Sequence, residues 1–540
     1  MEVKIKTFGG VGYMDQKYMI ELIKGNHWNA VNSNEFAFGE INEGEGGIIW
    51  IGGNHPNLDE IQKQIDKMPW VLLFALSDEE NKFRYEDLKH DNMEIWLQFL
   101  HDMKDKRVKK IIGCFPDNDC VRELSNIYVD KDLTWSFVGQ CNHIQRIECV
   151  RELEKNKDNS FLVVTKLFNE GIVNKKDYFT YMARSKIIPC PSGIQTADSF
   201  RFFEALESGC LPVPDRRCFK DNKNFNYWVE LFKEENLPFP MVDNWSEFKS
   251  ILDKFKDYIT WMKASNRCFA FWQNYKRNIA YELNDTINRL SGVTPKAKTL
   301  RDELTILIST SNIPSHPSTK IIEDTIKNLR SYKELKDVEI IIMIDDLRPE
   351  LKHRTYEYEK YIQRLLWLCN VKWKNILPVI TKEWLHQANT TKYCLDFIKT
   401  KNILYVEHDC SLTGDIPFNE INEILKYDTV NYIRLHYSTE IHEQHKYLMR
   451  ESKTINSVPL LKTIQWSQRP HFSTVSFYKK ILEYFSESSR TMIEDLIYGV
   501  VINNENKDFG LWIYHPEKNI QRSLSCDGRK SDSKFEMKFK

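Results

Sequence analysis

The chain reads as an α/β protein made of two successive sets of parallel sheet, and three observations predict this. Short apolar runs alternate with helix-period patterns along most of the 540 residues, which is the sequence mark of β-α-β units. The alternation gives way to an all-helical stretch and restarts after Ser291-Gly-Val-Thr-Pro-Lys-Ala-Lys298, a turn-rich segment that reads as a linker. One apolar run, 403–406, passes at once into Glu407, His408 and Asp409. Open α/β sheets bind their ligands beyond the carboxyl ends of strands, where such a triad would stand.

The elements follow in order. Runs of strand length, rich in β-branched and aromatic residues, lie at 47–51, 70–76, 110–115, 134–138, 160–165 and 187–189. Helical patterns fall between them, at 92–103 and 177–184. From 245 to 290 the chain is all helical, with Trp245, Phe248, Ile251, Leu252, Phe255 and Tyr258 at three-to-four spacing. Beyond the linker come a strand at 304–309, a helix at 319–330, a strand at 338–344, a helix at 391–399, the strand at 403–406 and a helix at 477–485. The charged residues 530–540 read as a frayed end.

Composition bounds the function. A chain of 540 residues exceeds what one core supports, so two to four domains are expected. Hydrophobic residues at 41% and charged residues at 28% are those of a soluble globular protein. A net charge of −1 gives no general attraction for nucleic acid or membrane surfaces. The 12 cysteines are scattered, with no Cys-x-x-Cys pair and no zinc spacing, so free thiols in a reducing compartment are expected. The opening Met-Glu-Val-Lys-Ile-Lys has no signal core, and no run of about 18 apolar residues spans a membrane, which together predict a cytoplasmic protein.

Glu407 and Asp409 are two apart, so in an extended segment they share a face. Two carboxylates with an imidazole can hold a divalent cation, and the cation a diphosphate; an acidic turn after a core strand is the plainer alternative. The strand at 338–344 ends in Asp345-Asp346, and the strand at 304–309 runs into Thr310-Ser-Asn-Ile-Pro-Ser-His-Pro317. Acids at successive strand ends suit a nucleotide-sugar, with Asp345 or Asp346 on the base or ribose and Glu407 with Asp409 on the metal; a helix cap is the other reading of Asp345 and Asp346. Arg469 and His471, in the polar and aromatic segment 465–471, are candidates for phosphate or sugar hydroxyls.

In the first half, 183–213 reads as strand, Ser/Gly/Thr loop, helix, glycine stop and strand. Asp198 or Ser199 would cap that helix and Gly209 would end it. Free amides at such a helix start favour a diphosphate, beside Ser192 and Gly193 of the loop. Glu204, about one turn inside, would accept from a ribose; an ordinary β-α-β unit with a surface Glu is the alternative.

These segments resemble known families. Strand, helix, strand ending in Asp, helix, then strand ending in an acidic triad resembles a GT-A glycosyltransferase, whose Asp-x-Asp motif Glu407-His408-Asp409 would replace, with Asp409 the closer metal ligand. His386-Gln-Ala-Asn-Thr-Thr-Lys-Tyr-Cys-Leu-Asp396 is similar to the helix before that motif. The resemblance implies that Thr491-Met-Ile-Glu-Asp-Leu-Ile497 carries the catalytic base, Asp495 or Glu494, against a solvated helix start as the alternative. It implies His515 as a late metal ligand, against a structural histidine. The tail Arg522-Ser-Leu-Ser-Cys-Asp-Gly-Arg529 would close over the diphosphate. Together these segments resemble glycosyltransferases of large phages and other viruses.

The stretch 183–213 resembles the donor lobe of exostosin-like GT-B glycosyltransferases, with Arg201, Glu204, Ala205, Gly209, Cys210, Pro212 and Val213 matching its signature. Trp135-Ser-Phe-Val-Gly-Gln140 and Arg146 resemble the first strand and loop of the same lobe. The resemblance implies donor contacts from Arg146, Arg184, Ser192, Gly193, Arg201 and Glu204. Phe8-Gly-Gly-Val-Gly12 is glycine-rich but weak evidence for a phosphate loop. The implied layout is a Rossmann-like acceptor lobe at 1–130, the donor lobe with a helical extension at 131–290, and a GT-A domain at 299–540, an order that exostosin-like animal proteins share. The implied activity is hexosyl or pentosyl transfer from nucleotide-sugars to a glycan, protein or modified-base hydroxyl. Manganese or magnesium would sit in the GT-A domain, in a cytoplasm that is the host's if the protein is viral, and an oligomer is compatible with this. Two active modules are one version; one active GT-A transferase with a non-catalytic GT-B-like module, or a metal-dependent nucleotidyltransferase, are the others.

Overall fold

The computed structural model describes residues 1–9, 34–52, 57–75, 84–97, 105–112, 129–166, 172–194, 196–218, 226–292, 299–504 and 508–526. Contacts divide the chain into two units, Met1–Pro295 with Asn370–Lys372, and Lys296–Cys369 with Trp373–Lys540. Among the described residues no helix is long and apolar enough to cross a membrane.

The first unit holds two parallel sheets. One contains β1 (Glu2–Phe8), β2 (Glu35–Phe38), β3 (Gly47–Ile51), β4 (Val71–Ala75), β5 (Met93–Leu97) and β6 (Val108–Lys110), in the order β2-β1-β3-β4-β5-β6. Every residue of β3 and β4 is buried, as a sheet covered on both faces requires. The other contains β7 (Leu133–Gln140), β8 (Ser160–Thr165), β9 (Ser185–Cys190) and β10 (Leu211–Pro214), ordered β10-β9-β7-β8. From β7 the chain steps to β8 on one side and then to β9 on the other, so a topological switch point lies between β7 and β9.

A helix of 34 residues, Tyr258–Ser291, reaches both sheets. Asp257 caps its start, accepting the Thr260 N–H at 2.7 Å, and Gly292 ends it at φ +64°, a left-handed position that glycine takes without a Cβ penalty. Its Trp272 and Lys276 donate to one carboxylate oxygen of Glu207 at 2.5 and 2.9 Å. Further along, its Glu282 pairs with Lys109 and its Arg289 with Glu94, both on the larger sheet.

The second unit is built on β11 (Leu304–Thr310), β12 (Glu339–Ile344), β13 (Ile376–Ile380), β14 (Asn402–Glu407), β15 (Cys410–Leu412), β16 (Tyr432–Arg434), β17 (Met449–Ile455), β18 (Val458–Thr463), β19 (His471–Thr474), β20 (Leu511–Tyr514) and β21 (Ser523–Ser525). Its main sheet runs β13-β12-β11-β14-β19-β16-β20-β18-β17, and β15 pairs with β21 apart from it. The first four are parallel; β19 joins β14 antiparallel and opens the mixed half. The chain leaves β11 toward β12 and β13, then returns to β14 on the far side of β11, so a second switch point lies between β11 and β14. Ile403, Leu404, Tyr405 and Val406 are wholly buried, worth about 1.5–3 kcal/mol for each aliphatic side chain. That burial fixes where the polar Glu407-His408-Asp409 emerges.

The α/β class is as expected, and three elements differ from the sequence reading: the strand expected at 110–115 lies at Val108–Lys110, with Ile111 and Ile112 past its end, and two helices change. The expected helix at 92–103 holds β5 instead, with Ile95, Trp96 and Leu97 buried in a sheet interior; long-range pairing with β4 overrides the local period. The helix expected at 391–399 runs His386–Leu395, because a carboxylate distant in sequence holds its start, as described next. Residues 10–12, 76, 98–103, 113–115, 195, 293–298 and 527–540, on which further sequence readings fell, the expected frayed end among them, lie outside the described residues.

Candidate functional site

In the second unit the acidic residues gather at the switch point. The register sets Ser309 of β11 beside Glu407 of β14. The His408 backbone N–H donates to the Ser309 carbonyl at 3.0 Å, and Thr325 Oγ1 donates to the His408 carbonyl at 2.7 Å. His408 itself is buried, with Nδ1 3.2 Å from the same Ser309 carbonyl and burial holding its pKa low. Glu407, Asp409 and Cys410 each offer a ligand atom, all within 4.8 Å of one another. Burial first, then the Asp409 charge, raises Glu407 from 4.5 to about 7, against the opposing pull of Arg469. Two half-buried carboxylates crowded together are what a bound cation relieves, so the donor set fits a divalent metal. For Cys410 the sequence offers no signal beyond its place directly after the triad.

The neighbouring groups sort unevenly. Glu494 accepts the Gln468 N–H at 3.0 Å, and its charge is felt at Glu407 and at the buried Arg434. Asp495 is exposed on the first turn of the helix Ile493–Ile502, and its charge reaches His386. Arg469 lies over the ring of Tyr437, 4.8 Å from its centroid; burial raises Glu407 and lifts the Cys410 thiol well above its ordinary range, and the Arg469 charge opposes both rises.

Several expected contacts fall elsewhere. His471 is interior: Nε2 and the Tyr478 hydroxyl are 2.6 Å apart, Nδ1 lies 2.6 Å from the Arg469 carbonyl, and its ring is parallel to those of Tyr405 and Tyr478. Burial pushes it down to about 3, so it is a neutral core residue rather than a phosphate contact. Asp345 takes the cap alternative. Its carboxylate accepts the N–H groups of Leu385 at 2.8 Å and His386 at 2.7 Å and the Thr381 hydroxyl at 3.0 Å, so it starts the helix His386–Leu395 rather than waiting for a ribose. Asp346 accepts the Leu347 N–H at 2.8 Å. Arg522 spends its guanidinium on the carbonyls of Asp415, Asn519 and Gln521 at 2.9, 2.8 and 2.6 Å, bracing the loop before β21. His515 lies outside the Glu407–Asp409–Cys410 group, with its backbone N–H on the Pro459 carbonyl at 2.9 Å.

A second cluster stands at the carboxyl ends of β7 and β9 in the first unit. Ser192 is fully buried. Its N–H donates to Asp215 Oδ2 at 2.6 Å and its hydroxyl to Gln145 Oε1 at 2.7 Å, while Arg146 Nε approaches its carbonyl at 3.4 Å. The Gly193 N–H donates to the Asp198 carbonyl at 3.2 Å, tightening the loop. Burial raises Asp215 from 3.8 to about 7, against the Ser192 N–H. Arg201 donates to the Val138 carbonyl at 2.6 Å and lies over Phe137 at 4.2 Å. Glu204 accepts the Tyr178 hydroxyl at 2.5 Å, and burial raises its pKa. Asp215, Gln145 and Tyr178 carry no local sequence signal; only the β7–β9 neighbourhood brings them in. Arg184 does not belong here. It precedes β9, at the amino end of the sheet, and is paired at the surface with Asp132 at 2.9 and 2.5 Å.

The comparisons with known proteins bear on this second cluster. The sequence pattern of the RXYLT1 C-terminal domain family matches residues 123–290, a stretch that contains β7 to β10 and the long helix. The human protein "Ribitol-5-phosphate xylosyltransferase 1" is 25% identical over 126 residues, which is 22% of this chain and 28% of that protein. Its mouse counterpart is 26% identical over 121 residues, 21% of this chain and 26% of that protein. The chain thus spans little more than a quarter of the length of these curated relatives. Among solved structures, a mannosyltransferase from Pyrobaculum calidifontis in complex with GDP-Man and Mn2+ is 11% identical, covering 48% of this chain and 69% of its own, at a TM-score of 0.27. TarS residues 1–349 from S. aureus is 12% identical, covering 41% and 60%, at 0.29. TM-scores this far below one half do not define a shared fold.

Proposed function

We propose that the chain is a glycosyltransferase that takes sugars from nucleoside diphosphate donors, with hexose or pentose as the transferred group. The observation that carries the reading is the pairing of an acidic strand end, with two convergent carboxylates, and a sheet switch point beside it, where open α/β sheets take their ligands. The match of 123–290 to a family whose named relatives are xylosyltransferases is independent support from the other unit, and it puts pentosyl donors first in any trial.

In this reading Glu407 and Asp409 hold manganese or magnesium, which when bound offsets the charge of the departing diphosphate. Asp495 or Glu494 takes the proton of the attacking hydroxyl. Glu494 is anchored by the Gln468 N–H and sits within electrostatic reach of Glu407, whereas Asp495 is exposed to an incoming acceptor. Arg469, whose charge opposes the rise of Glu407, is the cation that meets the donor phosphates. In the unit that holds 131–290, Ser192, Gly193, Arg146, Arg201 and Glu204 form a second donor-binding crevice that needs no metal, and the layout 1–130, 131–290 and 299–540 describes an acceptor lobe, a donor lobe and a GT-A domain.

The test is nucleoside diphosphate release from a panel of nucleotide-sugars, xylose donors included, by the full chain and by Asp409→Asn and Glu204→Gln. Metal-dependent release that Asp409→Asn abolishes supports the assignment to the second unit; release lost in Glu204→Gln alone assigns it to the first. Pyrophosphate release from a nucleoside triphosphate, with no turnover of sugar donors, would instead establish a nucleotidyltransferase and overturn the proposal.

A further inference from the structure

The acidic strand end carries a group that carboxylate chemistry leaves out. Cys410 opens β15 and its side chain is fully buried. Its Sγ lies 3.8 Å from Glu407 Oε2 and 3.8 Å from Asp409 Oδ1. Three donors within four consecutive residues converge because the chain turns between β14 and β15. The backbone is fixed on both sides of that turn. Before it, the His408 N–H is tied to β11. After it, β15 pairs with β21, and the Cys526 N–H donates to the Asp409 carbonyl at 2.9 Å. The sulfur is therefore held against both carboxylates rather than sampling a loop.

We propose that Cys410 is a third protein ligand of the cation that Glu407 and Asp409 hold, and that its sulfur makes this site prefer thiophilic divalent ions, such as cobalt, zinc and cadmium, over magnesium. The inference rests on the reading of Glu407 and Asp409 as cation ligands. Two carboxylates alone form a hard oxygen site suited to magnesium or manganese; adding a thiolate moves the preference toward softer ions. Binding breaks the S–H bond and forms the metal–sulfur bond, and the proton passes to water. A consequence is that zinc displaces the working ion at low concentration and slows turnover.

The experiment uses the full chain stripped of metals, titrated separately with manganese and with cobalt. Manganese uptake is read from the loss of the free-ion electron paramagnetic resonance signal, and cobalt–sulfur bonding from the near-ultraviolet thiolate charge-transfer band. The wild-type chain takes up both ions and shows the band. Cys410→Ser still takes up manganese and loses the band, and Asp409→Asn loses both. Manganese uptake without a cobalt band overturns the role of Cys410 and leaves the cation reading standing; a band that persists in Cys410→Ser overturns it equally. Failure of the wild-type chain to take up either ion overturns both. If Cys410→Ser does not fold, cadmium NMR of the wild-type chain decides: a resonance shifted by one sulfur ligand and absent from Asp409→Asn supports the proposal, and an all-oxygen resonance overturns it.

Discussion

Removing the charge of Glu407 should stabilise the metal-free protein. Burial and the Asp409 carboxylate raise Glu407 from 4.5 to about 7. The folded state therefore resists ionisation of this group, and the cost appears as pH rises from 4.5 through about 7. At about 1.4 kcal/mol per pH unit, the ionised side chain costs the fold about 3 kcal/mol once pH exceeds 7. Glu407→Gln removes the ionisation and keeps the shape. Near pH 8 the variant should be more stable than the wild-type chain by up to about 3 kcal/mol, and near pH 5 most of that difference should vanish, because wild-type Glu407 is then already neutral. The assay is urea unfolding of the metal-stripped full chain at both pH values. Manganese should reverse the order, stabilising the wild-type chain and leaving the variant unmoved. A variant that is no more stable at the higher pH, or a gain of equal size at both, would refute the reasoning.

Other perturbations follow from contacts elsewhere in the fold. Asp345→Ala leaves the Leu385 and His386 N–H groups without their acceptor, so it should cost about 1–3 kcal/mol and speed hydrogen exchange across 385–395; unchanged exchange there would count against the cap. Lys276→Met strands the Glu207 carboxylate in the interior and should cost about 3–5 kcal/mol, much of it recovered by adding Glu207→Gln; a single variant that unfolds like the wild-type chain would refute the pairing. Gly139→Ala would set a Cβ 2.2 Å from Arg201 Nη2. That nitrogen is the far end of a long side chain, so the fold should lose little stability, while displacing the guanidinium should weaken the nucleotide-sugar binding proposed for the first unit in a thermal shift, which an unaltered shift would contradict.

The sequence was most legible where burial is continuous. The buried runs of β3, β4, β11 and β14 are nearly continuous, and the parallel register that buries β11 and β14 also fixes the position of Glu407 and Asp409. It was least legible where a partner comes from far along the chain. β5 reads locally as a helix because Trp96 and Leu97 fit either period, and only β4 decides the matter. The role of Asp345 as a helix cap depends on amides 40 and 41 residues away. His471 looked polar in its segment, yet antiparallel pairing of β19 with β14 turns it into the core. Arg184 matched a motif region but sits before its strand, and strand direction puts it at the wrong end of the sheet.

Manganese binding to the metal-stripped full chain, followed by electron paramagnetic resonance with and without a nucleoside diphosphate, tests the central claim most directly. The account predicts a bound ion in the wild-type chain, tightened by the diphosphate and lost in Asp409→Asn. Equal uptake by the wild-type chain and Asp409→Asn, or no effect of the nucleotide, would contradict it.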